Sequence, residues 1–326
     1  MVALGMRTVQ RLRRSRKLQI ALNGGFGIAL LAVAILSVKH FIKTGWPLHH
    51  ADPILVAAAA VLYLIAYAFK AWGWQRLFPE HERPAAGALA FAGGAACVGG
   101  VALPGRVDDA VRIAVVKRYP GNRTGLGVLG LSLIVLGLLD NAALTPLASV
   151  AAADARSWGV RLGFLVVAVA GIAAAAIVAF LPRVLGWQRI TRFAFGRWLC
   201  EHTHCTREAC AAWLLISFSW ALRGVAVFLL LNALALGSES FPLALAFLCA
   251  SAASAALPIA PAGAATQAGA GAAILHWSGV SWTDAAAFSV AAQALVIVTG
   301  AAVVLLIAAY HLAVRVRRPR PLPARA

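Results

Sequence analysis

Two short stretches of this chain place side chains capable of chemistry inside an otherwise apolar sequence. The first reads Leu103-Pro104-Gly105-Arg106-Val107-Asp108-Asp109-Ala110-Val111-Arg112, with Lys117 and Arg118 soon after. On a helix opening after Pro104-Gly105, Arg106, Asp109 and Arg112 stand three apart and share one broad face. Two guanidiniums around a carboxylate can grip a phosphate bidentately, with the acid holding them in place or exchanging a proton. The plainer reading is that Asp108 and Asp109 cap the helix and complement its dipole, while the bases anchor it at the membrane surface. The second stretch, Leu257-Pro258-Ile259-Ala260-Pro261-Ala262-Gly263-Ala264-Ala265-Thr266-Gln267, leads to Gly269 and Gly271. Backbone freed by Pro258, Pro261 and Gly263 inside a membrane must find internal partners or line a wet cavity. Thr266 and Gln267 can supply those partners or bind a polar ligand, and the small residues equally suit close helix packing.

Asp140 and Arg223 lie within longer apolar runs. A charge at mid-bilayer costs roughly 2.5–3.5 kcal/mol, so each needs an offset, either along a headgroup or proton pathway or in a structural pair with the other. Gln293, uncharged, suits hydrogen bonding between helices. Signs of catalysis are missing. Asp108-Asp109 opens like an acidic magnesium motif, but Arg112 occupies the position of its final acid. No phosphate-binding glycine loop, zinc-protease helix or serine-hydrolase elbow occurs. Cys200-Glu201-His202-Thr203-His204-Cys205, with Cys210, has zinc-compatible side chains in a spacing that matches no zinc pattern. Neither an enzyme, a bound metal nor a cofactor is expected.

The elements that must position these residues are membrane helices. Of 326 residues, 62% are hydrophobic and 12% charged, against about 45–50% and about 25% in soluble domains. Apolar runs of spanning length fall at 18–38, 53–71, 126–150, 160–181, 210–235 and 285–312. Segments 87–104 and 242–277 are apolar but interrupted by Gly and Pro. The net charge of +18 sits in short loops, so it reads as topology rather than nucleic-acid binding. Basic residues number six in 1–17, three in 70–86, five in 105–124, five in 182–209 and five in the tail. If all these segments face the cytoplasm, 87–104 must enter from that side and turn back, and 242–277 must do the same from the other.

The expected fold is therefore an all-α polytopic membrane protein of the cell membrane with both termini cytoplasmic. It has six spanning helices and two broken, re-entrant elements, arranged as an inverted repeat of halves 18–150 and 160–312. A basic N-terminus, 1–17, precedes this unit and a basic tail, 313–326, follows it.

In order and spacing these stretches resemble the lysylphosphatidylglycerol synthase transmembrane-region family of flippase-like membrane proteins. The family's first motif commonly reads Pro-Gly-Arg-x-Gly-Glu-x-x-Arg. Here Pro104, Gly105, Arg106 and Arg112 match, Asp108 replaces Gly, and Asp109 keeps the acid in type. The second commonly reads Pro-Gly-Gly-x-Gly followed by Glu. Pro261 and Gly263 match, Ala262 and Ala265 replace glycines, and Ala268 stands where Glu is usual, leaving Gln267 as the nearest polar group. The resemblance implies a domain that handles polar lipids, in some members moving an aminoacylated phospholipid between leaflets. It does not imply the synthase reaction, which belongs to a separate soluble domain that the short tail after Arg315 leaves no room for. The expected function is binding and translocation of an anionic lipid headgroup. In that reading Arg106, Asp108, Asp109 and Arg112 receive the headgroup, the Pro258–Gln267 break lines its path, and Asp140 and Arg223 assist charge transit. The alternative is a non-transporting membrane partner of a separate lipid- or glycan-modifying transferase.

Overall fold

The computed structural model describes residues 51–102, 107–155, 157–185, 206–236, 240–255 and 263–317. The described residues form nine α-helices: α1 Pro53–Gln75, α2 Ala86–Ala102, α3 Val107–Arg118, α4 Leu126–Asp154, α5 Trp158–Leu185, α6 Thr206–Ala233, α7 Phe241–Ala255, α8 Gly263–Trp277 and α9 Trp282–Arg317. Five of these, α1, α4, α5, α6 and α9, are long and apolar enough to cross a membrane. The protein is an all-α polytopic membrane protein, as its composition requires. The expected span at 18–38 lies outside the described residues, as do Arg106, Pro258, Pro261 and the Cys200–Cys205 stretch.

Local chemistry sets the ends of these helices. Asp52 caps α1, its Oδ1 accepting from Ile54 N at 2.8 Å and Leu55 N at 3.5 Å, with Pro53 opening the first turn. Pro is suited to that position because its missing N–H would be orphaned there anyway. α3 carries Asp108 and Asp109 in its first turn and Lys117 and Arg118 in its last, which complements the helix dipole at both ends. Gly279, at φ +100°, lets the chain turn from α8 toward α9.

Loop contacts sort the helix ends into two groups. At one end, Glu82 joins the start of α4, where Gly125 N donates to its Oε2 at 2.9 Å. Arg76, just past α1, meets Glu208 at the start of α6 at 3.3 Å. Tyr119, just past α3, contacts His311 near the end of α9. At the other end, Asp52 N donates to Ala233 O at 2.9 Å, and His276 of α8 stacks edge-on against Trp282 of α9.

The two broken elements follow from this. A Cβ on Gly87, at the start of α2, would lie 3.3 Å from the hydroxyl of Tyr119, just past α3. So α2 and α3 enter and leave at the same end. The start of α7 and the end of α8 line one cavity beside the α4–α5 turn, with Leu243 near Ile274 and Ser278, so that hairpin opens at the opposite end. Within it the ring of Phe247 fills the place of a side chain at Gly271, and Ser251 Oγ donates to the backbone oxygen of Gln267 at 3.0 Å.

Packing repeats across the two halves. α1 packs on α6. α1 touches α2 as α6 touches α7, α2 packs on α9 as α7 packs on α4, and α1 meets α9 as α6 meets α4. Among the described helices, α1, α2 and α4 thus repeat the contacts that α6, α7 and α9 make, the pattern an inverted repeat would have. The two hairpins meet through α2 and α8.

Small residues bring these helices together. A Cβ at Gly73 of α1 would stand 2.8 Å from Ile216 Cγ1 and 3.1 Å from Ala212 O of α6. One at Gly94 of α2 would stand 2.5 Å from Gly300 O of α9. In lipid, where burying apolar surface gains little, such close backbone approach supplies much of the association energy through dispersion and packing.

Candidate functional site

The polar residues of the interior converge where α1, α4 and α6 meet. Tyr63, Tyr67, Lys70 and Trp74 recur along one face of α1 at spacings of four, three and four, and all four find inward positions. Tyr63, Tyr67 and Trp74 are buried. Trp74 Nε1 donates to Ser132 Oγ of α4 at 3.1 Å, and Tyr67 Oη donates to Val296 O of α9 at 3.5 Å. Lys70 Nζ bridges both carboxylate oxygens of Asp140, at 2.9 and 2.8 Å. Trp220 Nε1 of α6 donates to Asp140 Oδ1 at 2.9 Å. Asp140 stands near the middle of α4 and Trp220 near the middle of α6.

This corrects two expectations. Lys70 is not a loop charge: α1 continues to Gln75, which places Lys70 inside the span about a turn and a half before its end. Nor is Arg223 the ion-pair partner of Asp140, since that carboxylate is taken by Lys70 and Trp220. The physical reason is reach. The ammonium of Lys70 approaches from the facing helix α1, whereas the Arg223 guanidinium is stacked over aromatic faces, 5.1 Å from the Trp220 ring centre and 5.6 Å from that of Tyr67.

Arg223 is therefore the unusual group. Its Nε is buried without a hydrogen-bond partner, and no carboxylate pairs with it among the described residues. Cation–π contact offsets part of its desolvation, by about 0.5–2 kcal/mol per face, and leaves the guanidinium edge available for an anion. Lys70 Nζ lies 5.6 Å from the centre of the same Trp220 ring, so two cations flank one indole with a single carboxylate between them.

The α3 cluster is a second charged group. Arg112 Nη1 bonds Asp109 Oδ1 at 2.9 Å, and Nη2 lies 3.6 Å from Asp108 Oδ2. One arginine thus gathers both acids of the motif within a single helical turn.

The second motif serves a more structural arrangement. Gln293 Nε2 of α9 donates to Gln267 Oε1 of α8 at 3.4 Å. Thr266 sits beside it on α8, half-buried, and Gly263 opens that helix. Among the described residues, Gln267 and Gln293 make no hydrogen bond to Lys70, Asp140 or Arg223.

Residue types alone pointed to Asp140, Arg223, Asp108, Asp109 and Arg112, and missed Lys70, Trp220 and Tyr67. The signal was present as the Tyr63-Tyr67-Lys70-Trp74 stripe, which has the period of a buried helix face, and as the one-turn spacing of Trp220 and Arg223. Compared with models of known protein families and with curated proteins, the chain matches none.

Proposed function

We propose that this membrane protein binds the anionic headgroup of a lipid at the Arg223–Lys70 centre and passes it between leaflets. The observation that carries the reading is Arg223 itself: a cation well inside a spanning helix, held over two aromatic faces, with a buried nitrogen lacking a partner. A phosphate arriving there gains a charge-assisted bond and removes an existing cost. Two hairpins that open at opposite ends and touch through α2 and α8 suit a substrate handled from both sides. The resemblance of the Pro104–Arg112 and Pro261–Gln267 stretches to flippase-like membrane proteins supports the same class of substrate. In this reading Arg112, steadied by Asp108 and Asp109, meets the headgroup first, Arg223 holds it at mid-membrane, and Lys70–Asp140 adjusts as charge arrives. The chain works without catalysis or a cofactor, and its partners are membrane lipids.

The test is movement of headgroup-labelled phosphatidylglycerol between leaflets of proteoliposomes. Arg223→Gln keeps a polar, hydrogen-bonding side chain, though a shorter one, and removes its charge. The expected loss is about ten-fold to a hundred-fold, the weight of a hydrogen bond to a charged group. Movement at the wild-type rate in Arg223→Gln would remove the site from the route. A complete lack of movement in folded wild type would favour the scaffold for a separate transferase.

A further inference from the structure

A second cationic site lies outside the central cluster, at the end of the protein where the 76–85 and 119–125 loops meet. Two cavities adjoin there, sharing Tyr119 and Pro120 as a common wall. One is a polar cup of about 200 Å³ lined by His81, Arg83, Asn122 and Arg123 among others. The other is an open, largely apolar groove of about 490 Å³ lined by Phe91, Ala114, Val115, Ala308 and Leu312, with Arg118 and His311 at its edge. That volume falls within the range of about 300–1,000 Å³ typical of small-ligand sites.

Two donors in the cup have nothing to bond, although the other end of the Arg83 guanidinium is engaged, its Nη2 lying 4.0 Å from Glu208 Oε2 and donating to Phe78 O at 3.5 Å. Arg83 Nε and Asn122 Nδ2 are both buried and without a hydrogen-bond partner among the described residues. The orientation of the Asn122 amide is set by its oxygen, which accepts from Thr124 N at 3.2 Å, so its nitrogen is the unfilled end. A buried donor left unpaired costs about 1–3 kcal/mol, and two in one cup are costly unless something accepts from them. The one carboxylate in the lining, Glu82, is already engaged, its Oε2 accepting from Gly125 N at 2.9 Å.

The walls are built rather than loose. Thr124 is fully buried, its Oγ1 donates to Glu82 O at 2.7 Å, and Lys117 Nζ donates to its carbonyl at 2.9 Å. Tyr119 is held by His311 of α9 and by the edge of Phe91. The cup therefore exists before any ligand arrives.

We infer that this pair of cavities is a resident site for an anionic phospholipid, with the phosphate in the Arg83–Asn122–Arg123 cup and an acyl chain along the groove between α2, α3 and α9. The commitment to a lipid rather than a free phosphate rests on the groove: an apolar trough adjoining the anion cup across Tyr119 and Pro120 suits an amphiphile. This site is separate from the Arg223 centre and does not depend on that residue's role.

Binding of dioleoylphosphatidylglycerol and dioleoylphosphatidylcholine to the purified full chain in detergent, followed by native mass spectrometry, tests the assignment. The phosphatidylglycerol is expected to bind at least about ten-fold more tightly, since both lipids offer the phosphate but the choline cation of phosphatidylcholine is repelled by Arg83 and Arg123. Asn122→Asp with Arg123→Gln replaces a donor by a carboxylate and removes a cation, and should remove that preference. Ala308→Trp, at an exposed position on α9, fills the groove and should lower binding of both lipids. Arg223→Gln should leave binding at this site unchanged, which keeps failure here distinct from failure of the central site. If Asn122→Asp does not fold, Arg123→Gln and Ala308→Trp, both at exposed positions, carry the test. Equal retention of both lipids by wild type would overturn the assignment. So would displacement of the lipid by glycerol 3-phosphate at the lipid's own concentration, which would make the cup a site for free phosphate.

Discussion

Lys70→Met on its own is expected to destabilise the folded protein by about 3 kcal/mol, because it strands a carboxylate in the interior of the membrane domain. The two side chains are 20% and 22% exposed, which places the loss at the lower end of the range of about 3–5 kcal/mol for a broken buried pair. Adding Asp140→Asn should return stability to within about 1 kcal/mol of wild type, since the neutral amide needs no counter-ion and its oxygen still accepts from Trp220 Nε1. The measurement is unfolding of the three proteins in bicelles against denaturing detergent. Wild-type stability in Lys70→Met, or a double variant no better than the single one, would refute the pair. The exchange Asp140→Arg with Arg223→Asp gives a second check with the opposite sign. It sets a guanidinium against Lys70 and is expected to rescue nothing, whereas an Asp140–Arg223 pair would be restored by it.

The spans were legible because each is an apolar run near the length that hydrocarbon demands, and the runs are separated by loops carrying the charge. The two hairpins were legible for a related reason: segments 87–104 and 242–277 are too apolar to be loops yet rich in Gly and Pro, although α2 runs unbroken through Gly93, Gly94, Gly99 and Gly100 to Ala102. Their opposite openings followed from counting basic residues, and the contacts at Tyr119 and at Leu243–Ser278 bear that geometry out. The centre was legible only in part. Asp140 and Arg223 stood out as charges within apolar runs, but pairing depends on which helix faces which, and composition does not carry that. Lys70 was hidden by position: five residues from the end of α1, it reads as the first charge of the following loop, although Tyr63, Tyr67 and Trp74 mark its face as buried. The donors of the phosphate cup were hidden for a different reason. Arg83 and Asn122 are ordinary loop residues in sequence, and only tertiary contacts at Thr124 and Glu82 bury them.

Gly94→Leu is expected to cost more than about 3 kcal/mol, since it drives a branched side chain into the backbone of α9. Even Gly94→Ala meets Gly300 O at 2.5 Å, a distance that a carbonyl on a facing helix cannot relieve by rotating a side chain. Its overpacking loss of about 1–3 kcal/mol outweighs the gain of up to about 1 kcal/mol that alanine brings to a helix interior. Gly137→Ala separates the two contributions. Nothing lies within 4 Å of a Cβ there, so only the helix preference remains and the change should be neutral or slightly stabilising. The facing position ties packing to the proposed site. A Cβ on Gly300 would stand 3.0 Å from the Tyr67 hydroxyl and 3.2 Å from Cys97 Cβ, and the Tyr67 ring is one of the two faces beneath Arg223. Gly300→Ala should therefore shift Tyr67 and lower movement of headgroup-labelled lipid by a larger factor than its modest loss of stability explains, whereas Gly137→Ala should alter neither. Equal lipid movement in Gly300→Ala and Gly137→Ala would show that the Tyr67 face contributes nothing to holding the anion.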